Sequence, residues 1–337
     1  MKRIALKEMQ EVLKKLFLKH HFTKEKAVLL ARIHSESTLA GVNSHGINRV
    51  PPFINYVKNG WVDIQAEAEQ VETIGNIERW DGNFGPGVIN AVKCTQRAIQ
   101  LAKAQGMGLV ALRNTNHWMR GGTYGKMAAE AGCIAIFFTN TIANMPPWGA
   151  KENRIGNNPL IVSIPRKEGH ILLDMALSQF SFGKMDSYQL KDEPLPFVGG
   201  WDEANNLTKD PKKIMISERA LPIGYWKGSA LSMILDMLAT LLSAGNSTSR
   251  ISQKEYETGI SQIFLCIYPK IFNDTTLQEK LVDEIIQYTR NAETIYPDDK
   301  IYYPGEQSSK KEALNKKDGM YVDEKIWQKI IVLLQEK

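Results

Sequence analysis

The chain has little that would suit it to life outside a cell or within a membrane. Its 337 residues include three cysteines, Cys94, Cys133 and Cys266, with no Cys-x-x-Cys spacing. So sparse and odd a set gives no disulfide framework and fits free thiols in a reducing compartment. A long uncharged apolar stretch is also missing. The opening MKRIALKEMQEVLKKLFLKH interleaves charge with Ile4, Leu6, Met9, Leu13 and Leu16. That pattern is an amphipathic helix, not the apolar heart of a signal peptide. The most apolar internal run, GSALSMILDMLATLLSAG, contains Asp236 and is short for a bilayer span. A cytoplasmic protein with no membrane partner is expected.

Charge of one sign is lacking as well. Forty-two basic and 37 acidic residues leave a net charge of +5, and the basic residues are scattered rather than striped. No zinc-finger, RNP-like or heptad-coupled basic motif is present, so nucleic acid is not expected as a partner. Familiar chemical signatures are equally thin. There is no His-Glu-x-x-His, and His34, His45, His117 and His170 lack zinc spacing, so no metal is expected. A Gly-x-Ser-x-Gly elbow and a Walker loop are absent, and Ser44 beside His45 does not aim one at the other. Gly-x-Gly-x-x-Gly is missing too. GNFGPG (82–87) orders its glycines differently and precedes a helix with no strong strand immediately upstream, which disfavours Rossmann-type dinucleotide binding.

What is present reads as a globular α/β protein. Hydrophobic content of 43% and charged content of 23% are ordinary, and the length allows two domains or one large one. The first 60 residues give three helices: one ends near His20, one is capped by Thr23 and runs to about Ala40, and one carries Phe53, Ile54 and Val57. VETIGNIERWDG alternates around a Gly-Asn turn and predicts a hairpin. A helix follows from about Gly87 to Ala104. Compact apolar runs at 108–113, 133–140, 160–165, 171–177 and 262–268 predict buried strands, with helices near Tyr124–Ala131 and Gly228–Ala244 between them. Helical patterns return from about Leu277 to the end, broken at Pro304-Gly305. The arrangement predicts a helical domain over 1–70 completed by 285–337, packed on an α/β domain over 71–284.

GVNSHGINR (41–49) poses the chemical question. Ser44 suits a helix N-cap, which makes the stretch a plain helix start. As helix positions i and i+4, His45 and Arg49 would instead share one face, a proton donor beside an anion clamp. Pro51 and Pro52 weaken that geometry, or else open a new helix. Ligands in α/β sheets gather where strands end, which draws in three further segments. One strand is followed by Asn114, Asn116, His117 and Arg120, and another by Thr139, Asn140, Thr141 and the rigid Pro146-Pro147-Trp148. A third holds Asp174 inside an apolar run, where a carboxylate needs a partner. His117 capping the next helix and Asp174 in a structural ion pair are the plain alternatives.

SHGINR, RNTNHWMRGGTYG, TNTIANMPPWGAKENRIGNNPLI and GYWKGSALSMILDMLATLLS together resemble the malate/L-lactate dehydrogenase family that lacks a Rossmann domain. The likeness runs from about residue 5 to 330. It implies a mixed-sheet cofactor domain, reduction of a 2-keto acid with NADH or NADPH, and a homodimer. A keto sugar acid is the substrate it points to; malate, lactate, ureidoglycolate or a cyclic imino acid are others of the same fold. A non-catalytic sugar-acid or nucleotide-binding module is the alternative of another class. By position, His45 matches the family's proton donor. His170, Ile171, Leu172, Leu173, Asp174, Met175 and Ala176, the pair Trp226-Lys227, and Gly305-Glu306-Gln307 match its nicotinamide-cofactor contacts. One departure is Tyr302-Tyr303, where an arginine is expected before Pro-Gly-Glu.

Chemistry adds roles to these positions. Ketone reduction needs a hydride at carbon and a proton at oxygen, and histidine suits the second task. An arginine fork suits a carboxylate beside the carbonyl, so Arg49 is the expected clamp. His117 and Arg120 are candidates to polarise the carbonyl or hold hydroxyls. Asp174 is a candidate to orient His45.

Overall fold

The computed structural model describes residues 2–271 and 274–336. Strand β1 (Lys2–Ile4) leads into helices α1 (Leu6–Lys19), α2 (Lys24–Leu39) and α3 (Val50–Lys58). The central part runs β2 (Glu69–Ile74), β3 (Ile77–Asp81), α4 (Gly87–Gln105), β4 (Met107–Thr115), α5 (Gly121–Glu130), β5 (Ile134–Thr139), β6 (Leu160–Ile164) and β7 (Ile171–Met175). An excursion follows, α6 (Phe182–Leu190), β8 (Gly200–Trp201), β9 (Leu207–Thr208) and α7 (Pro211–Ser217), which no periodic pattern had announced. Then come α8 (Trp226–Ser243), α9 (Thr248–Ile251), β10 (Ile260–Ile267), α10 (Thr275–Arg290), α11 (Glu306–Asp318), β11 (Met320–Val322) and α12 (Glu324–Gln335).

Seven strands form one mixed sheet in the order β2-β3-β4-β10-β5-β6-β7. Only β3 and β4 are parallel neighbours; every other pair is antiparallel. Because β10 runs against both β4 and β5, these two share a direction, and so does β7. The C-terminal ends of β4, β5 and β7 therefore meet at one edge of the sheet.

Alternation along the strands sends side chains to two cores. Val110, Leu112, Phe137, Ile161 and Phe264 pack on one face with α4, α5 and the N-terminal helices. Ala111, Phe138 and Ile263 pack on the other with Leu235 and Ala239 of α8 and with Met185 and Ile214 of the excursion. The chain ends meet beyond the first core. β1 pairs antiparallel with β11, Ile4 opposite Met320, and Ile4, Met320, Trp327 and Ile330 are buried with Leu13 and Leu16 of α1.

Two expectations need correction here. A strand does stand immediately upstream of GNFGPG, since β3 ends at Asp81 and α4 then crosses to the parallel β4. The loop still makes no phosphate cradle. Gly82 N–H and Phe84 N–H donate to Arg113 O and Asn114 O, and a Cβ on Gly87 would stand 2.0 Å from Asn116 O. Its amides and its space belong to the end of β4. The apolar run at 171–177, expected as a buried strand, is instead the edge strand β7. The segment before α11 covers part of that edge, Leu172 N–H donating to Pro304 O at 2.9 Å.

Candidate active site

His45 and Arg49 do not share a helix face. Residues 43–49 form two single 3-10 turns (43–45 and 47–49) that break at Gly46, φ −112° and ψ −118°. The break follows from close packing on α2. Ile47 N–H donates to Thr38 Oγ1 at 2.9 Å, His34 Nδ1–H reaches Gly46 O at 3.2 Å, and a Cβ on Gly46 would lie 2.3 Å from Thr38 Oγ1. Ser44 caps no helix; its hydroxyl lies 3.1 Å from His45 Nδ1. The prolines do open a helix, standing in the first turn of α3.

The turn brings His45 to His117, just beyond β4. Their rings stack at 5.7 Å between centroids and 26° between planes. His117 does not cap α5. Its Nδ1 accepts Met119 N–H at 2.9 Å, so the neutral ring carries its proton on Nε2. Burial pushes the His45 imidazole down to about 4, and the Arg49 and Arg120 charges push the same way. Burial, Arg49 and His45 hold His117 well below the usual histidine range. Both rings are therefore neutral near pH 7 in the unliganded protein.

Two carboxylates that sequence reading missed face the same arginine. Asp186 lies on α6, which crosses the turn so closely that a Cβ on Gly183 would sit 2.4 Å from Ser44 Cβ. Burial raises its carboxyl above the ordinary range while the Arg49 charge lowers it. Glu257 precedes β10, and burial raises it too, against the Ile142 N–H bond and Arg49. Neither had a sequence signal, because α6 is only weakly amphipathic and residues 252–259 form an irregular connection.

Asp174 lies with Arg120, not against His45. Its Oδ2 accepts Gly122 N–H at 2.9 Å and stands 3.7 Å from Arg120 Nε. Burial raises this carboxyl, opposed by Arg120 and the Gly122 bond. Its side chain still has 25% of its surface open, which puts it at the floor of a cleft rather than in a core. Arg120 is buried, and its Nη2 donates to Ser308 Oγ at 3.1 Å on α11. Its Nε–H has no hydrogen-bond partner among the described residues. Asn114 and Asn116 are structural: Asn114 Nδ2 bonds Asp81, and Asn116 Nδ2 bonds Phe84 O and Gly85 O. Asn140 ties β5 to α8 through Asp236 at 2.8 Å, which partners the one carboxylate of that apolar helix.

The expected cofactor segments form a strip beside this cleft. Gly305 (φ +92°) presses on Leu172, its missing Cβ only 3.0 Å from Leu172 Cβ, so residues 305–307 adjoin 170–176. Leu177 O accepts Ile223 N–H at 2.8 Å, which leads from the end of β7 toward Trp226 and Lys227. Trp226 is 62% exposed at the start of α8. Glu306 is buried between Arg290 (2.5 Å) and Lys310 (2.7 Å), while Arg290 and Arg166 lie over the Tyr303 ring. Arginine thus reaches the Pro-Gly-Glu element from α10 rather than from the residue before it. A guanidinium N–H without a hydrogen bond among the described residues, beside a strand edge that is only partly covered, suits an anionic, elongated ligand, so these residues fit a dinucleotide.

Residues 4–331 match the malate/L-lactate dehydrogenase family. A 2,3-diketo-L-gulonate reductase from Escherichia fergusonii is 43% identical over 332 residues, 98% of this chain and all of the relative. Malate dehydrogenase from Entamoeba histolytica has the same fold, with a TM-score of 0.93 at 24% identity over 99% of this chain and 97% of that one. Sulfolactate dehydrogenase from Methanocaldococcus jannaschii superposes with a TM-score of 0.88 at 26% identity, over 99% and 97% of the two chains. Among the described residues, no helix is long and apolar enough to cross a membrane.

Proposed function

Because the chain belongs to the malate/L-lactate dehydrogenase family, we propose that it reduces a 2-keto sugar acid, 2,3-diketo-L-gulonate to 3-keto-L-gulonate, with NADH as reductant. The full-length likeness to a 2,3-diketo-L-gulonate reductase supports the substrate, and the stacked His45–His117 pair beside Arg49 supports the chemistry. The nicotinamide cofactor, when bound, supplies the hydride. His170–Ala176, Trp226-Lys227 and Gly305–Gln307 would hold it, with the Arg120 guanidinium, whose Nε–H makes no hydrogen bond among the described residues, as the positive charge beside an anionic group.

The remaining work falls to the chain's own side chains. Arg49 grips the substrate carboxylate and so sets the neighbouring carbonyl against the histidines. That carboxylate offsets the positive charge which helps to depress His45. That favours the protonated His45 imidazole, the form that can give the carbonyl oxygen its proton. His117, with Nδ1 occupied by Met119 N–H, offers its Nε2–H to the same oxygen. Asp174 keeps Arg120 in place through the cleft floor and acts on His45 only at second hand.

A second copy of the chain is the proposed partner, seated on the outward face of α8. Met233, Ile234, Met237, Leu238 and Leu241 there are 40–71% exposed, an apolar patch too continuous for a lone surface. Free, buried Cys94, Cys133 and Cys266 support a cytoplasmic setting. The test of the activity is a substrate panel. Purified protein with NADH should consume 2,3-diketo-L-gulonate faster than oxaloacetate, pyruvate or a cyclic imino acid, followed as loss of NADH absorbance. Preference for oxaloacetate or pyruvate would overturn the substrate, and NADH binding without any turnover would favour a binding module.

A further inference from the structure

Arg49 serves more than the substrate's carboxylate end, because its charge also reaches Glu257. Glu257 Oε2 accepts Ile142 N–H at 3.0 Å, which ties the segment before β10 to the loop leaving β5. Its Oε1 takes no hydrogen bond from any described residue. The side chain is part-buried, so solvent still reaches it within the wall. Thr258 Oγ1–H donates to Asn116 Oδ1 at 2.9 Å and Tyr56 of α3 meets Tyr256 edge-on at 6.5 Å, which seats Glu257 between the segment that carries His117 and the helix that follows Arg49. The wall around Glu257 is rigid and aromatic: Trp61 stacks on Tyr256 at 4.0 Å and 4°, and Tyr56 meets Trp61 edge-on at 4.9 Å.

A carboxylate so held, with one oxygen pinned and the other free, is a poor neighbour for a second substrate carboxylate and a good one for a hydroxyl. Pyruvate-like acids bring no hydroxyl, and oxaloacetate brings a second negative charge. A sugar acid brings a chain of hydroxyl donors. We infer that Glu257 is a specificity-determining residue: its free Oε1 accepts a hydrogen bond from a hydroxyl on the chain of the sugar acid, and its charge disfavours a dicarboxylate. The inference rests on the reading of a keto sugar acid as substrate.

Binding equilibria test it separately from turnover. Three unreactive acids are titrated calorimetrically into the full chain with NADH present: L-gulonate with hydroxyls, oxamate without, and malonate with two carboxylates. Glu257→Gln keeps the size and an acceptor for Ile142 N–H but removes the charge. Affinity for L-gulonate should fall about tenfold or more, the scale of losing a hydrogen bond to a charged group. Oxamate should stay within about twofold, malonate should gain, and the melting temperature should hold. Glu257→Asp provides a second arm: it should keep the rejection of malonate while losing L-gulonate. The inference is overturned if all three ligands move together in the glutamine variant, if none moves, or if the unaltered protein binds L-gulonate no better than oxamate. The substrate panel judges the reaction itself, so failure there and failure here are told apart.

Discussion

Two long helices lie on opposite faces of the same sheet and are built in opposite senses. α4 buries Val88, Ala91, Val92, Ala98 and Leu101 against the sheet, the usual amphipathic solution. α8 turns Gly228, Ser229, Ser232, Ala239 and Ser243 inward with Leu235, and most of its large apolar side chains outward. Its inner polar groups are satisfied: Ser232 Oγ–H donates to Gly156 O at 2.6 Å, and Ser229 Oγ accepts Trp148 N–H at 3.1 Å. Small residues let α8 approach the sheet closely at little cost, since buried hydroxyls with partners are cheap. The outer side chains stay available, at roughly 1.5–3 kcal/mol each when buried against a partner. On the proposed reading, the α4 side, with the N-terminal helices beyond it, would carry His45 and the chemistry, and the α8 side would carry assembly.

The strongest way to break that division is to disable one side and look for damage on the other. His45→Ala should cost about 10²–10⁴-fold in kcat, the usual contribution of a general acid. NADH affinity, melting temperature and dimer formation should hold, because the His45 side chain makes one hydrogen bond among the described residues, with Ser44. Near-normal turnover in the folded variant would move the proton donor to His117. On the other side, Met237→Glu places a charge in the outward face of α8 and should weaken self-association by about two orders of magnitude, read by sedimentation. An unchanged dimer would mean that the apolar face serves something else.

How far this was legible from the sequence differs between the two sides. The N-terminal helices and strands β4 to β6 and β10 follow from periodicity, because each buries apolar side chains against a neighbour, while the hairpin was legible from its turn although β2 is exposed throughout. α8 was legible as a helix but not as an inverted one, since the sense of burial depends on what covers it. The 43–49 turn was misread as one helix because the close contact of Gly46 with Thr38 is tertiary. His45, Arg49, His117 and Arg120 were legible as candidates from residue type and motif. Asp186 and Glu257 were not, because neither lies in a patterned stretch and only folding brings them to Arg49.

A smaller effect separates charge from shape at Arg49. Arg49→Lys keeps the charge but loses the planar fork, and should lower kcat/KM about tenfold, mainly through KM. Its pH profile should stay in place. Arg49→Met should move that profile. The His45 pKa is depressed to about 4 by burial first and then by Arg49, so removing the arginine raises it. Reduction needs protonated His45, hence kcat/KM falls as pH rises, and in Arg49→Met the fall should begin at a higher pH. Identical profiles would place Arg49 too far from the acid to act on it.

Lys227 gives the smallest expected effect and the sharpest use of the comparison, because it stands where the two sides join. It lies in the first turn of α8, at the head of the apolar outer face, yet follows the peptide that Leu177 O ties to the end of β7. If it belongs to the cofactor strip, Lys227→Ala should weaken NADH binding about three- to tenfold, the worth of one exposed charge-assisted contact, with self-association unchanged. If it belongs to the assembly face, the reverse holds: the dimer loosens and NADH affinity falls only on dilution. Titrating NADH at two protein concentrations, one well above and one below the dimer's dissociation constant, separates the outcomes. A loss that is equal at both concentrations puts Lys227 with the cofactor; a loss at the lower concentration alone puts it with the partner. No loss at either removes Lys227 from the cofactor strip.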